Sequence, residues 1–198
     1  MIAGVLRHCT EMAVDRQYVD SHGHSAVALA LCHVLGFQLL PRLKAIHAPR
    51  LSRPDTSRPE DLAHLQPVLS RPLNWDRIAQ QDANMVTYAT ALRLGTAETE
   101  AILRRCTRTN VPHPTSRALA ELGKARKTIF LCPSLRLRPL RQDIQAGLHV
   151  VEHWHSANDC ILCGTGGAIA TNRREDQALA MLALPLLQSA LVSIKTLM

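Results

Sequence analysis

Polar and apolar positions alternate only near the start of this chain. Val14, Arg16 and Tyr18 fall on a period of two, the mark of a short strand, and the pattern stops at Asp20. Ser21-His22-Gly23-His24 cannot continue a strand, and Gly23 supplies a turn. Ser25 then stands where it can N-cap an apolar helix reaching about Leu35, closed by Gly36. A second apolar run, "FQLLPRLKAI", predicts another strand, broken at Pro41.

From His47 to Leu73 the pattern dissolves. Pro49, Pro54, Pro59, Pro67 and Pro72 punctuate this stretch, and "SRP" occurs three times, so a loop-rich connector is expected. Helical periods follow. Asn74 can cap a single helix over 75–94, ended by Gly95. Thr96 can cap the next, with Glu98 and Glu100 in its first turn, where the helix dipole favours them. "NVPHP" interrupts. "SRALAELGKARKTIFL" predicts a helix up to Pro133, and another runs from about Leu140 to Ala157. "CILCGTGG" reads as a short apolar run and a glycine turn. Asn172-Arg173-Arg174-Glu175 resembles a capping box opening a C-terminal apolar helix. Its core, Ala178 to Ile194, carries Pro185, Gln188, Ser189 and Ser193 and is shorter than a typical span, so a buried helix is expected, not a membrane anchor. The fold class is therefore an α/β front with a mostly helical remainder.

Composition narrows the function. The chain has 198 residues, enough for one sizeable core. Hydrophobic residues make up 46%, which excludes a disordered chain, and aromatics only 3%, which argues against stacking platforms for single strands. The formal charge is +7 and the pI near 9.5. Charge is also uneven: Arg104 to Arg141 holds ten basic residues, among them Arg104, Arg105, Lys124, Arg126 and Lys127, against one acidic residue, Glu121. A solvated face usually mixes signs, so this bias favours phosphate contact. "MIAGVLRHCT" lacks a charged n-region before an apolar run, so no signal peptide is expected. The six cysteines then read as reduced thiols in a cytoplasmic protein.

Three constellations carry candidate chemistry. "HVVEHWHSANDCILC" has three histidines and a Cys-x-x-C, but His149 and His153 share one helix face and Cys160 and Cys163 flank apolar residues. A zinc site wants two separated ligand pairs, so buried free thiols and surface histidines are the simpler expectation. "GTGGAIATN" lacks the Lys-Ser/Thr of a phosphate-cradling loop. Asp20 at a strand end and Glu152 on a later helix are hard oxygen donors of the kind Mg²⁺ takes. Two such ions, roughly 3.5–4 Å apart, can stabilise the attacking and leaving oxygens of a phosphodiester displacement.

The segments "TEMAVDRQYVDSHGHS", "LGFQLLPRLKAI", "ATALRLGTAETEAILRR", "HPTSRALAELGKARKTIFLC", "HVVEHWHSANDCIL" and "GGAIATNRREDQALAMLAL" together resemble, in order, the C-terminal catalytic part of the Tn3-type transposases of replicative unit transposons, including mercury-resistance elements. The resemblance implies a ribonuclease H-like core with an Asp-Asp-Glu triad, a helical insertion before the Glu, and Mg²⁺-dependent (or Mn²⁺-dependent) cleavage of transposon 3′ ends and their joining to target DNA. Asp20 stands at the family's second Asp and Glu152 at its Glu, both catalytic and metal-binding. It implies DNA as partner, no membrane, and a homodimer for the full-length family. It maps 1–46 to part of the core, 47–137 to the insertion, and 138–198 to the C-terminal helices bearing Glu152.

Departures from the family pattern are also visible. Its first Asp lies upstream, and Glu11 and Asp15 do not match that motif. Ala168 stands where the family usually has Glu, and His153 and His155 where it usually has Asn. Pro133, Pro139 and Pro185 interrupt segments that are helical in relatives. The expectation is a truncated or decayed copy, inactive alone. Two other readings stand beside it: a non-catalytic basic helical DNA-binding protein, and a His/Cys metal-binding module.

Overall fold

The computed structural model describes residues 2–7, 11, 13–20, 25–44, 50–54, 59–107, 113–161, 169 and 171–197. It divides into two compact units, Met1–Gln145 and Ala146–Met198.

The first unit opens with a short helix, α1 (Ile2–Leu6), then a strand–helix–strand element: β1 (Arg16–Val19), α2 (Ala26–Val34) and β2 (Gln38–Pro41). β1 and β2 pair in parallel, Arg16 opposite Gln38 and Val19 opposite Pro41. Parallel neighbours need a crossover, and α2 supplies it. Ser25 caps α2 as its sequence suggests, its Oγ accepting from the Ala28 amide at 3.1 Å. Gly36 follows with φ of 91°, a left-handed turn that lets the chain enter β2 at once. The turn at residues 21–24 lies outside the described residues.

The proline-rich stretch is more ordered than its composition suggests. Leu51–Arg53 (β3) and Leu69–Pro72 (β4) form a second two-stranded parallel sheet, joined through a 3₁₀ segment, Pro59–Val68. Short edge strands tolerate proline, which has no amide to donate. The sheet is tied to the long helix behind it: the Ser52 amide donates to Thr128 Oγ1 at 2.9 Å.

Helices complete the unit: α3 (Trp75–Gln80), α4 (Asp82–Leu94), α5 (Thr99–Thr107) and α6 (Pro114–Arg136), with α7 (Arg138–Ile161) continuing into the second unit. The single helix expected over 75–94 is two. Gln81 departs from helical geometry, with φ of −113° and ψ of 7°. Its side-chain oxygen accepts from Thr115 Oγ1 at 2.8 Å, so the start of α6 anchors the break. Asn74 caps only α3, accepting from the Arg77 amide. α6 does not stop at Pro133: the proline falls in its last turn, and the Leu137 amide still reaches the Pro133 carbonyl at 2.7 Å. α7 starts earlier than expected because Pro139 falls in its first turn, where a missing amide costs little.

The core lies where α2 crosses α6. Leu29, Ala30, Leu31 and Cys32 of α2, Met85 and Leu92 of α4, and Ala118 and Leu119 of α6 are all nearly or fully buried. Burial pushes the Cys32 thiol up to about 12, so it stays a neutral packing group. At the crossing a Cβ placed on Gly123 would lie 1.8 Å from the Ala26 carbonyl oxygen.

Glu121 is the other fixed point. It is buried, yet Lys124 Nζ donates to its carboxylate at 2.6 Å and the Asn74 amide donates to it at 3.3 Å. Burial alone would raise its pKa. The Lys124 and Asn74 hydrogen bonds outweigh that and hold the carboxyl below its ordinary range.

In the second unit α7 is accompanied by α8 (Arg174–Leu197). The Asn172 cap expected for α8 is not seen as such: the first helical bond runs from the Gln177 amide to the Arg173 carbonyl, and ahead of it the Thr171 hydroxyl accepts from the Arg173 amide at 3.2 Å. The expectation of a buried C-terminal helix is not met. Leu179, Leu182, Leu186 and Ile194 are all more than half exposed. Residues 174–194 are also long and apolar enough to cross a membrane by length and composition, with a mean hydropathy of 1.7. The periodic apolar pattern announces a face that needs covering, and a two-helix unit has too little surface to cover it.

Gly123→Ala should destabilise the first unit by roughly 3 kcal/mol or more, because the clash is with backbone that cannot swing away. Gly4→Ala, which meets nothing within 4 Å, should be neutral or stabilising by about 0.5–1 kcal/mol; urea titrations compare the two. Glu121→Gln should lower stability at neutral pH and flatten its loss in acid. A depressed native pKa contributes stability above the unfolded value, and that contribution disappears as pH falls through the native one. Denaturation midpoints across acidic pH measure it.

Candidate functional site

Asp20 follows the last residue of β1, at the carboxyl edge of the first sheet, the edge at which open α/β sheets bind ligands. The parallel register brings the end of β2 alongside it. The Arg42 amide donates to the Val19 carbonyl at 2.8 Å, extending the ladder by one residue. Arg42 is thereby set beside Asp20. Its Nε donates to Asp20 Oδ1 at 3.1 Å and its Nη2 lies 3.0 Å from the same oxygen. Lys44 Nζ stands 3.7 Å from Oδ2. The carboxylate is 42% exposed, so it is reachable from solvent while held by two cations.

Sequence reasoning misses Arg42 and Lys44. The signal is present, since both lie within four residues of the predicted break at Pro41. Finding them requires knowing that the two strands run parallel with Val19 opposite Pro41.

Glu152 lies on α7 in the second unit and is 54% exposed. His149 Nε2 is 3.9 Å from its carboxylate, one turn back on the same helix. The rings of His149 and His153 stack, with centroids 6.4 Å apart. Cys160 is exposed, not buried as expected, because it sits in the last turn of α7 on an open face. Cys163 lies outside the described residues. Among the described residues no three His, Cys, Asp or Glu side chains gather as a metal-binding group.

This decides the fit to Mg²⁺. The donor type is right, since carboxylate oxygens are what a hard cation takes. The number is not. Among the described residues the carboxylates do not form a ligand set, and both Asp20 oxygens already face cationic nitrogen. The residues present do not by themselves fit a pair of metal ions.

The basic candidates divide by what they touch. Arg104 is paired with Glu100 on α5 at 2.6 Å, an exposed i,i+4 pair that contributes little. Arg105 is exposed on the same helix. Lys124 is committed to buried Glu121. Arg126 and Lys127 are partly buried on α6. Arg126 lines a cavity with Arg16 and His33.

Comparison with known proteins gives the context for these residues. The family model described as the Tn3 transposase DDE domain matches residues 1–198. The chain is 25% identical to the transposase for transposon Tn501 of Pseudomonas aeruginosa over 97% of its own length and 19% of that protein's. It is 26% identical to the transposase for Tn21 of Escherichia coli over 95% of its length and 19% of the relative's. To the transposase for Tn1546 of Enterococcus faecium it is 25% identical, over 85% and 17% respectively. The chain thus spans about a fifth of the length of the curated relatives it matches. A match over every residue, together with a strand-end aspartate, makes this chain a member of the Tn3 transposase DDE-domain family.

Proposed function

We propose that this chain is a portion of a DNA transposase catalytic domain, with a ribonuclease H-like core of which β1, α2 and β2 are part. In this reading the complete protein cleaves transposon 3′ ends and joins them to target DNA. Asp20 and Glu152 are two of the carboxylates that serve its divalent metal, Mg²⁺ by preference, and the remaining ligands come from outside the described residues. The observation that carries the reading is Asp20 at the carboxyl edge of a parallel strand pair, within a chain matched throughout by the family. This chain's own residues supply a carboxylate on a rigid strand end, two cations beside it, and a basic surface for the DNA backbone. The full-length protein would act in the bacterial cytoplasm, as a homodimer, with no role for a membrane.

A second reading, a non-catalytic basic DNA-binding protein, is favoured by one observation. Arg42 and Lys44 neutralise the carboxylate that a catalytic role needs open to metal. The two readings part on chemistry and agree on DNA.

The purified chain should bind duplex DNA with an affinity that falls steeply with salt and varies little with sequence. Neutralising Arg126 and Lys127 together, and leaving Lys124 to its bond with buried Glu121, should flatten the salt slope by about 0.9 for each phosphate that is no longer paired with a cation. Fluorescence anisotropy with duplexes of unrelated sequence measures both. Absence of binding at low salt would exclude either reading.

The same chain should neither nick nor join DNA with Mg²⁺ or Mn²⁺, because among its described residues no set of carboxylates holds the ions. A plasmid nicking assay and an end-joining assay with inverted-repeat duplexes test this. Metal-dependent nicking abolished by Asp20→Ala would show that this chain completes its own site.

A further inference from the structure

At the other end of the first sheet lies a cavity of about 430 Å³, between β1, α2, β2 and α6. Its polar lining is unusual in sign. Arg16 opens β1, His33 ends α2 and Arg126 projects from the middle of α6, and among the described residues no acidic side chain lines it. The walls are apolar: Phe37, Leu40 and Phe130 are each less than a tenth exposed. Arg16 and Arg126 thus share the lining of one largely apolar cavity that has no carboxylate on its wall, Arg16 being about half exposed at its edge. Asp15 lies 3.7 Å from Arg16, but outside the cavity and largely exposed, where such a pair contributes little.

Like charges converging on an apolar wall destabilise a protein unless a counter-ion joins them. Guanidinium suits phosphate, which it grips with paired N–H groups. An apolar backing strengthens that grip by keeping water away. We propose that this cavity receives a backbone phosphate of duplex DNA, held by Arg16 and Arg126 with His33 as a further N–H donor. Burial lowers the pKa of His33, and the Arg126 charge lowers it further, so the ring contributes a hydrogen bond without adding a third charge.

The position matters as much as the charge. Arg16 and Asp20 stand at opposite ends of β1, which at about 3.3 Å per residue puts them roughly 13 Å apart. A phosphate in the cavity is thus not the one facing Asp20. It is a second holding point, set along the duplex from the reacting edge, and it fixes where the backbone crosses the sheet.

The inference rests on DNA being the partner, and its test separates the two. Duplex binding is measured by anisotropy across a salt series for the full chain and two variants. Arg16→Gln with Arg126→Gln removes both guanidinium groups and should flatten the salt slope by about 0.9, the share of the one phosphate they hold together. Ile129→Trp leaves every charge in place. Ile129 lies on the cavity lining and is 57% exposed, so an indole there fills the space without opening the core. It should weaken duplex binding and flatten the slope by at least about 0.9, the share of one phosphate.

Binding by the parent chain with Ile129→Trp unaffected would overturn the cavity proposal and leave the DNA reading intact. No binding by the parent chain would sink both. A measurement on the unaltered chain guards against misfolding of the variants: the His33 imidazole resonances should shift as duplex is added, and unmoved resonances at saturation would also overturn the proposal.

Discussion

The first unit depends on one close approach. Helices usually cross with their axes 8–10 Å apart, set by the side chains between them. At the crossing of α2 and α6 there is no side chain: the Gly123 position lies against the Ala26 carbonyl itself. This brings apolar positions of the two helices, Leu29 to Cys32 and Ala118 to Leu119, into one buried cluster. Everything at the strand edge inherits its position from that contact. α2 leaves β1 and delivers β2, so its seat on α6 sets the height of both strands. α6 in turn carries Thr128, which fixes β3, and Glu121, which fixes the start of α3. β1 and β2 are short strands, yet they present a rigid edge because one helix pair is locked.

Electrostatics at that edge run opposite to expectation for a metal site. An isolated strand-end carboxylate attracts cations, and here the protein's own Arg42 and Lys44 answer it. Divalent metal would compete with a guanidinium already satisfied by hydrogen bonds. The Asp20 edge therefore has a net positive character, as does the cavity at the far end of β1. Phosphate is favoured at both ends of one strand, while hard cations are favoured at neither unless further carboxylates are brought in.

Much of the local structure is legible in the residues. Ser25 and Gly36 bracket α2 by elementary capping rules, and Asp20 falls at a strand end because Ser21 to His24 cannot extend a strand. What escapes is whatever depends on distant partners. Nothing local says that Gln81 will break a helix: its hold on Thr115 comes from 34 residues away. Prolines mislead three times: 133 and 139 fall near helix ends where their cost is small, and Pro185 lies inside α8, which runs on through it. The proline-rich stretch conceals a sheet whose strands pair across the 3₁₀ segment. The helix of Glu152 and the strand of Asp20 are both readable. Their cationic neighbours are not, because a parallel register is a property of two segments together and is written in neither alone. Spacing alone does not join these two carboxylates; pairing them in phosphoryl transfer is a proposal that rests on the family resemblance.

The exposed leucines of α8 bear on the life of the polypeptide rather than its chemistry. A strip of apolar side chains that its own unit leaves open resembles, to the quality-control machinery of a cell, a protein that has not finished folding. A chain of this length made by itself would be held by chaperones or degraded early, and in a test tube it would associate with itself as its concentration rose. How long such a gene product persists is then governed by one surface helix, whatever the strand edge of the first unit is able to bind.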